Sequence, residues 1–247
     1  MRRIRMVIEY DGSNYHGFQI QQNAHTIQAE LEKAIQNLTG EKTTLMFAGR
    51  TDAGVHALGQ VAAFDTNSSI PPEKWRFALN SFLPPDIIIV HSEEARPDFH
   101  PRFHAVKKRY RYLIYRQREG AVFYRRYAYC NDEILDLAAM NQACQHIKGL
   151  HDFSSFCASG SATRTFEREV TECYVIEEDG FIKLEIEANG FLYNMVRIVT
   201  GTLLNVGRGI YTPQQVADII AARDRNRAGA TAPPQGLYLV HVTYPEN

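Results

Sequence analysis

No apolar run in the chain approaches the length of a membrane span. The start, M-R-R-I-R-M-V-I-E-Y, alternates charge with apolar side chains and lacks the unbroken apolar stretch of a secretory signal. A cytoplasmic protein with no membrane partner is therefore expected. Cysteine is scarce: Cys130, Cys144, Cys157 and Cys173 are widely spaced, and no C-x-x-C pair exists. This excludes zinc-ribbon and dithiol patterns, and a chain of 247 residues builds a core without disulfide staples. His100 and His104 bracket H-P-R-F-H, but Pro101 spoils the helical geometry that would set both rings on one face, so no metal site is expected there. The net charge of -1 makes no overall electrostatic case for nucleic acid. Gly49 and Gly54 imitate the spacing of a phosphate loop, yet Val55-His56 stand where such a loop needs Lys and Ser/Thr, which excludes a nucleotide triphosphate site. No other cofactor motif is present.

What remains is an ordinary globular composition, 45% apolar and 22% charged, organised around A-G-R-T-D-A-G-V-H-A at residues 48–57. This stretch follows the apolar run Leu45, Met46, Phe47 and reads as a buried strand ending in a polar loop. Arg50 is a permanent cation and Asp52 an anion that only accepts hydrogen bonds. In an extended segment the two point to the same side. A plainer reading stands beside this one, in which Asp52 only accepts backbone N–H bonds in a turn.

A second concentration lies between Arg102 and Arg126. Lys107, Lys108, Arg109, Arg111, Arg116, Arg118 and Arg125 fall within it, with Glu119 the only acid. Tyr110, Tyr112, Tyr115, Phe123, Tyr124 and Tyr127 interleave with them. Such a mixture meets phosphates with cations and bases with rings. Alternatively it is a strand with a solvated outer face and inward tyrosines.

Periodicity divides the chain further. Residues 3–10 form a strand, Thr26 caps a helix with Ile27, Leu31, Ala34, Ile35 and Leu38 on one face, and Gly40 stops it. Strands at 43–48 and 60–64 flank the central loop. Pro71-Pro72 opens a helix with Trp75, Ala78, Leu79 and Phe82 inward, and 86–90 is a strand. Residues 91–105 are the expected crossing between halves. A strand at 107–117 precedes a helix capped by Asn131, with Ile134, Leu137, Ala138, Met140, Cys144 and Ile147 inward. H-D-F-S-S-F at 151–156 is a loop whose rings enter a core or cover a substrate. Residues 165–177 and 181–188 form a hairpin about Asp179-Gly180. A helix over 192–205 leaves Asn194 and Arg197 off its apolar side, the latter exposed. Thr212, Pro213 and Gln215 start another helix, and 237–242 is a final strand. The expected class is α+β, with two similar split βαβ (ferredoxin-like) halves, mainly antiparallel sheets and helices on one face. The expected domains are 1–104, carrying the Asp52 loop, and 105–247.

G-R-T-D-A-G-V-H-A at 49–57 resembles the signature of the TruA family of tRNA pseudouridine synthases. The resemblance covers nearly the whole chain, through Y-D-G-S-N-Y-H-G-F-Q at 10–19, K-R-Y-R-Y at 108–112 and H-D-F-S-S-F at 151–156. It continues in N-M-V-R at 194–197, G-R-G at 207–209 and A-G-A-T-A-P-P-Q-G-L-Y-L at 228–239. It implies a pseudouridine-synthase fold and Asp52 as the catalytic residue. Arg50 is then linked to drawing the target nucleotide from the stack, Tyr110 stacks on the target base, and Arg197 pairs with the catalytic Asp. It also implies uridines at positions 38, 39 and 40 of the tRNA anticodon stem-loop as targets, and a homodimer. H-P-R-F-H-A and Lys108-Arg109 depart mildly from the family pattern and remove none of these groups.

The implied reaction breaks the bond between N1 of uracil and C1′ of ribose, turns the base and rejoins it through C5. It needs no redox change and no cofactor. It needs a carboxylate near the ribose, acting as nucleophile at C1′ or as base at C2′. Two rivals are a non-catalytic RNA-binding module and a nucleoside hydrolase using Asp52 and His56. The basic and aromatic residues at 102–127 favour a macromolecular substrate over the hydrolase.

Overall fold

The computed structural model describes residues 1–160, 163 and 165–245, and it divides into two compact units. The first comprises residues 1–106 together with the chain from Tyr238 onward; the second is Lys107–Leu237. The division expected after residue 104 therefore differs in its last strand, which returns to the first unit.

In the first unit, strand β1 (Arg2–Tyr10) buries alternate residues Ile4, Met6, Ile8 and Tyr10, as the period of an extended chain requires. Helix α1 (Ile27–Thr39) follows, then β2 (Met46–Phe47), β3 (His56–Thr66), α2 (Trp75–Asn80) and β4 (Ile87–Ala95). β1 pairs antiparallel with β3 on one side and β4 on the other, and β2 adds to β3. The resulting order β4-β1-β3-β2 is that of a split βαβ unit. α1 presents Ile27, Leu31, Ala34 and Ile35 to the core and ends at Gly40 in the left-handed region. Trp75 is wholly buried, edge-on to Phe64 at 5.1 Å. The other face of β1 carries Arg3, in a double hydrogen bond to Asp65 at 2.7 Å, and Arg5 against Glu93.

The second unit contains β5 (Lys107–Tyr115), α3 (Ala121–Tyr124), β6 (Tyr129–Cys130), α4 (Leu137–Ile147) and β7 (Gly149–Asp152). The hairpin of β8 (Glu167–Glu178) and β9 (Phe181–Ala188) follows, then α5 (Met195–Gly207) and α6 (Pro213–Ala222). Its sheet runs β5-β9-β8-β7, antiparallel throughout, with β6 parallel beside β5. α4 packs on β8, α5 and α6. The last strand, β10 (Leu237–Thr243), sets Tyr238 and Leu239 parallel to His56 and Ala57 of β3. The α+β class and mainly antiparallel pairing are as expected. The likeness of the two halves extends to their makeup and stops at strand order.

Local differences have local causes. α2 spans only Trp75–Asn80, so Phe82 lies beyond it and is 46% exposed rather than inward. The cap of α4 is Asp136, whose carboxylate accepts from Ala139 N at 2.9 Å. Asn131 instead closes a separate turn by accepting from Glu133 N, which leaves Ile134 88% exposed and Ala138 exposed before the buried positions Met140, Cys144 and Ile147. β4 continues to Ala95, shortening the crossing expected from residue 91. The Asp179-Gly180 turn and the reciprocal Thr212/Gln215 capping box are as expected. Phe153 and Phe156 of H-D-F-S-S-F enter the core, while Ser155 Oγ donates to Ile219 O and accepts from Asp224 N. That block therefore ties the end of α6 to the core.

α5 is buried on nearly every side, and the stretch 228–232 lies tightly along it. Gly229 N donates to Thr202 Oγ1 at 2.9 Å, and a Cβ on Gly201 would lie 1.8 Å from Ala230 O. Helix propensity alone favours Gly201→Ala by about 1 kcal/mol, but overpacking against a backbone atom outweighs it. We expect Gly201→Ala to destabilise the protein by about 2 kcal/mol or more; a urea midpoint equal to or above wild type would contradict this packing.

Candidate active site

The central motif emerges as a loop between β2 and β3 in the first unit, with β3 already begun at His56. Its side chains alternate: Arg50 is exposed, Thr51 buried, Asp52 half-buried. The alternation sets Arg50 and Asp52 on one side, as an extended segment requires.

Two sets of contacts fix this loop. From below, the Tyr10 hydroxyl shares a buried 2.7 Å hydrogen bond with Thr51 Oγ1, and Gln60 Nε2 donates to Gly49 O at 2.7 Å. Burial pushes the Tyr10 phenol far up, against the opposing pull of its Thr51 and Gln60 hydrogen bonds, so it serves as a neutral partner. From the side, the Tyr10–Gln19 block runs along the loop. Phe18 N donates to Thr51 O at 3.1 Å and Gly54 N to Tyr15 O at 3.3 Å. Gly17, at φ +93, approaches so closely that a Cβ there would sit 2.6 Å from Thr51 O. Only glycine meets both requirements. Tyr15 is itself anchored, donating to Asp86 Oδ1 at 2.6 Å.

His56 closes the far end. Its ring is 1% exposed, stacked on Tyr238 at 4.7 Å. Nδ1 accepts from Gly12 N at 3.1 Å, and Asp11 Oδ1 lies 3.2 Å from the same nitrogen. A ring so enclosed holds the loop and is not presented to a substrate, which removes the hydrolase reading its second group.

The second unit carries the other two residues singled out from sequence. Tyr110, on β5, is 8% exposed and meets Phe191 edge-on at 5.0 Å. Arg197, on α5, is half-buried rather than exposed. Its Nε donates to Ala232 O at 2.7 Å and a terminal nitrogen to Asn194 Oδ1 at 2.9 Å. Ala232 N returns a bond to Arg197 O at 3.0 Å. Tyr112, next on the inner face of β5, donates to Pro233 O at 2.8 Å, and Gly236 packs against its ring. The A-G-A-T-A-P-P-Q-G segment thus braces α5 and β5, which carry Arg197 and Tyr110.

The basic strand divides differently from the first expectation. Tyr110 and Tyr112 face the core, whereas Tyr115 lies on the opposite face, buried under Tyr124 and Phe181. On that opposite face of β5, Lys107 and Arg109 pair with Glu187 at 3.3 and 3.0 Å, Arg111 pairs with Glu185, and beyond the strand Arg116 pairs with Glu177 at 2.9 Å. Burial works to raise the Glu187 carboxyl, and hydrogen bonds from Thr171, Arg109 and Lys107 outweigh it and hold it below the usual range. Past the strand, Arg118 and Arg125 are exposed, with Phe123 at 77%. Among the described residues no three His, Cys, Asp or Glu side chains gather as metal ligands, and no helix is long and apolar enough to cross a membrane.

A profile of the tRNA pseudouridine synthase family matches residues 6–104 and 143–245. The chain belongs to that family. Among curated relatives, tRNA pseudouridine synthase A of Syntrophomonas wolfei is 61% identical over 247 residues, spanning 100% of this chain and 99% of its own. The protein of the same name from Acetivibrio thermocellus is 50% identical over 244 residues, covering 99% and 100%. That from Moorella thermoacetica is 49% identical over 243 residues, covering 98% and 99%.

The residues that support the Asp52 loop carried no assigned role in the sequence. Tyr10, Asp11, Gly12 and Gly17 stand in the Y-D-G block, and Gln60 lies just beyond the central motif; the block itself was the visible signal. Tyr10→Phe strands the buried Thr51 hydroxyl and is expected to cost about 1–3 kcal/mol. In urea unfolding, Tyr10→Phe with Thr51→Val should cost less than the two single changes summed, by about 1 kcal/mol. Strict additivity would show that the pair does not act as a unit.

Proposed function

We infer that Asp52 is the catalytic carboxylate of this enzyme, with Arg50 and Arg197 as supporting cations and Tyr110 as the ring that stacks on the target base. As a member of its family the chain isomerises uridine to pseudouridine in tRNA. The observation that carries the assignment is the pinning of the loop around Asp52: Thr51 spends its hydroxyl on Tyr10 and its carbonyl on Phe18 N, and Gly49 O and Gly54 N are bonded as well, while the Asp52 side chain stays half-buried beside an exposed Arg50. A carboxylate held without freedom to wander is what a reaction at a ribose carbon needs, because correct placement removes much of the entropic part of a barrier.

In the reaction N1 leaves C1′ and gains a proton, C5 bonds to C1′ and loses its hydrogen. Asp52 acts at C1′ as nucleophile or at C2′ as base. Arg50 helps to draw the target nucleotide from the stack, and extrusion costs a few kcal/mol, least near the loop end of a stem. That cost supports uridines 38, 39 and 40 of the anticodon stem-loop as targets. The working form is a homodimer on one tRNA in the cytoplasm, and the residues named here supply the chemistry without a cofactor. The first unit carries the Asp52 loop, and the second carries Arg197 and Tyr110.

Loss of hydrogen from C5 provides the test. With an unmodified tRNA transcript carrying tritium at C5 of its uridines, wild type should release tritium in proportion to pseudouridine formed. Asp52→Asn should bind tRNA and release none. Binding without release by wild type would leave only an RNA-binding module; release by Asp52→Asn would move the chemistry to another group.

A further inference from the structure

The H-P-R-F-H loop is a rigid perch for one exposed ring. Both of its histidines spend Nδ1 on the loop's own backbone: His104 accepts from His100 N at 3.3 Å and His100 from Arg102 N at 3.1 Å. His104 N closes the turn onto His100 O at 3.1 Å. The base of the loop is tied to the sheet and the C-terminal segment. A guanidinium nitrogen of Arg3 donates to Phe99 O at 2.7 Å, Tyr244 OH donates to Pro101 O at 2.8 Å, and the Phe99 and Tyr244 rings meet at 5.1 Å. Burial, with the charges of His104 and Arg3, lowers the His100 pKa.

At the tip of this framework Phe103 is 73% exposed. The His100 ring lies 4.3 Å from it and the Arg102 guanidinium 5.9 Å. Arg102 is exposed and pairs with no carboxylate among the described residues. A large ring held in water on a braced turn gains nothing for folding. A protein partner calls for a contiguous apolar patch; here a single ring is flanked by a buried proline, a cation and an imidazole. A ring beside an unpaired cation suits an unpaired nucleobase and its phosphate, because stacking and charge are then both satisfied.

We propose that Phe103 and Arg102 form a nucleotide-binding platform on the first unit, Phe103 stacking on an unpaired base of the substrate RNA and Arg102 contacting its phosphate. This rests on the reading of tRNA as substrate. It assigns the platform a role in holding RNA, separate from the chemistry at Asp52.

The test measures affinity of the full-length protein for an unmodified tRNA transcript by filter binding across a salt series. Phe103→Ala should weaken binding by roughly 5- to 100-fold, the range for losing one stacked base. Phe103→Trp should bind within about 3-fold of wild type and Phe103→Leu should resemble Ala, because the platform needs a π-face. Arg102→Gln should weaken binding and reduce the slope of log affinity against log salt by about one, with Arg102→Lys restoring the slope. Thermal unfolding of all five variants should match wild type, since both side chains are exposed. Wild-type affinity in Phe103→Ala, or Leu binding as well as Trp, would overturn the proposal. So would weaker self-association of Phe103→Ala with unchanged tRNA affinity, which would give the ring to a protein contact. Tritium release by wild type separates the two readings: its absence sinks the isomerase, whereas its presence with unaltered binding by Phe103→Ala sinks only the platform.

Discussion

The carbonyl of Thr51 is the constraint on which the central loop depends. It accepts the Phe18 amide, and Gly17 presses against it at a distance no Cβ tolerates. That contact joins two polar loops, each also anchored by buried apolar side chains, Tyr15 and Phe18 in one and Val55 in the other. The Tyr10–Thr51 bond beneath and the Gln60 bond to Gly49 extend the constraint into the core of the first unit. Each such bond is modest on its own, because folding only exchanges it for one with water. Their common effect is positional. A buried donor or acceptor left unmatched is costly, so the loop has one arrangement in which all are satisfied, and Asp52 stands at its centre.

Much of this was visible in the order of residues because it is local. The alternation of β1, the Gly40 stop, the Asp179-Gly180 turn and the Thr212 capping box depend on neighbours a few positions apart. The Asp52 loop was visible too, since glycines and charged groups rarely crowd behind an apolar strand without cause. What sequence could not convey was choice between equals. Asn131 and Asp136 have the same capping chemistry, and only the packing of α4 against β8 decides that Asp136 starts the helix. Phe82 has the right phase for an inward position, but α2 stops before reaching it. The return of the last strand to β3, and the different strand order of the second unit, are long-range pairings that leave no local mark.

Charge offers the clearest case of distance hiding meaning. In sequence the cations of residues 102–126 form one basic block. In the fold, β9 lays Glu185 and Glu187 opposite β5, and a cross-strand ladder of ion pairs takes up Lys107, Arg109 and Arg111. Pairs of this sort contribute little to stability when partly exposed. Their consequence is instead to remove those cations from competition for phosphate. Arg102, Arg118 and Arg125 are left outside the ladder and exposed, Arg102 beside the exposed ring of Phe103. The basic block is thus sorted into a part paired along the sheet and a part left exposed.

The same economy of position explains why the residues around Arg197 look unremarkable in composition yet are tightly specified in space. A long arginine on a solvated helix carries nearly 2 kcal/mol of rotamer entropy, which must be lost before the side chain has one direction. Here the ordering is done during folding. Ala232 O and Asn194 Oδ1 hold the guanidinium, Asn194 adopts a left-handed backbone at φ 59 to cap α5, and the small residues 228–232 allow the segment to lie close enough to reach it. The first unit treats Asp52 in the same manner, with glycine supplying close approach and buried hydroxyls supplying direction. In both places direction comes from neutral groups: the Ala232 carbonyl and the Asn194 side-chain amide at Arg197, and the Tyr10 and Thr51 hydroxyls beneath the loop of Asp52.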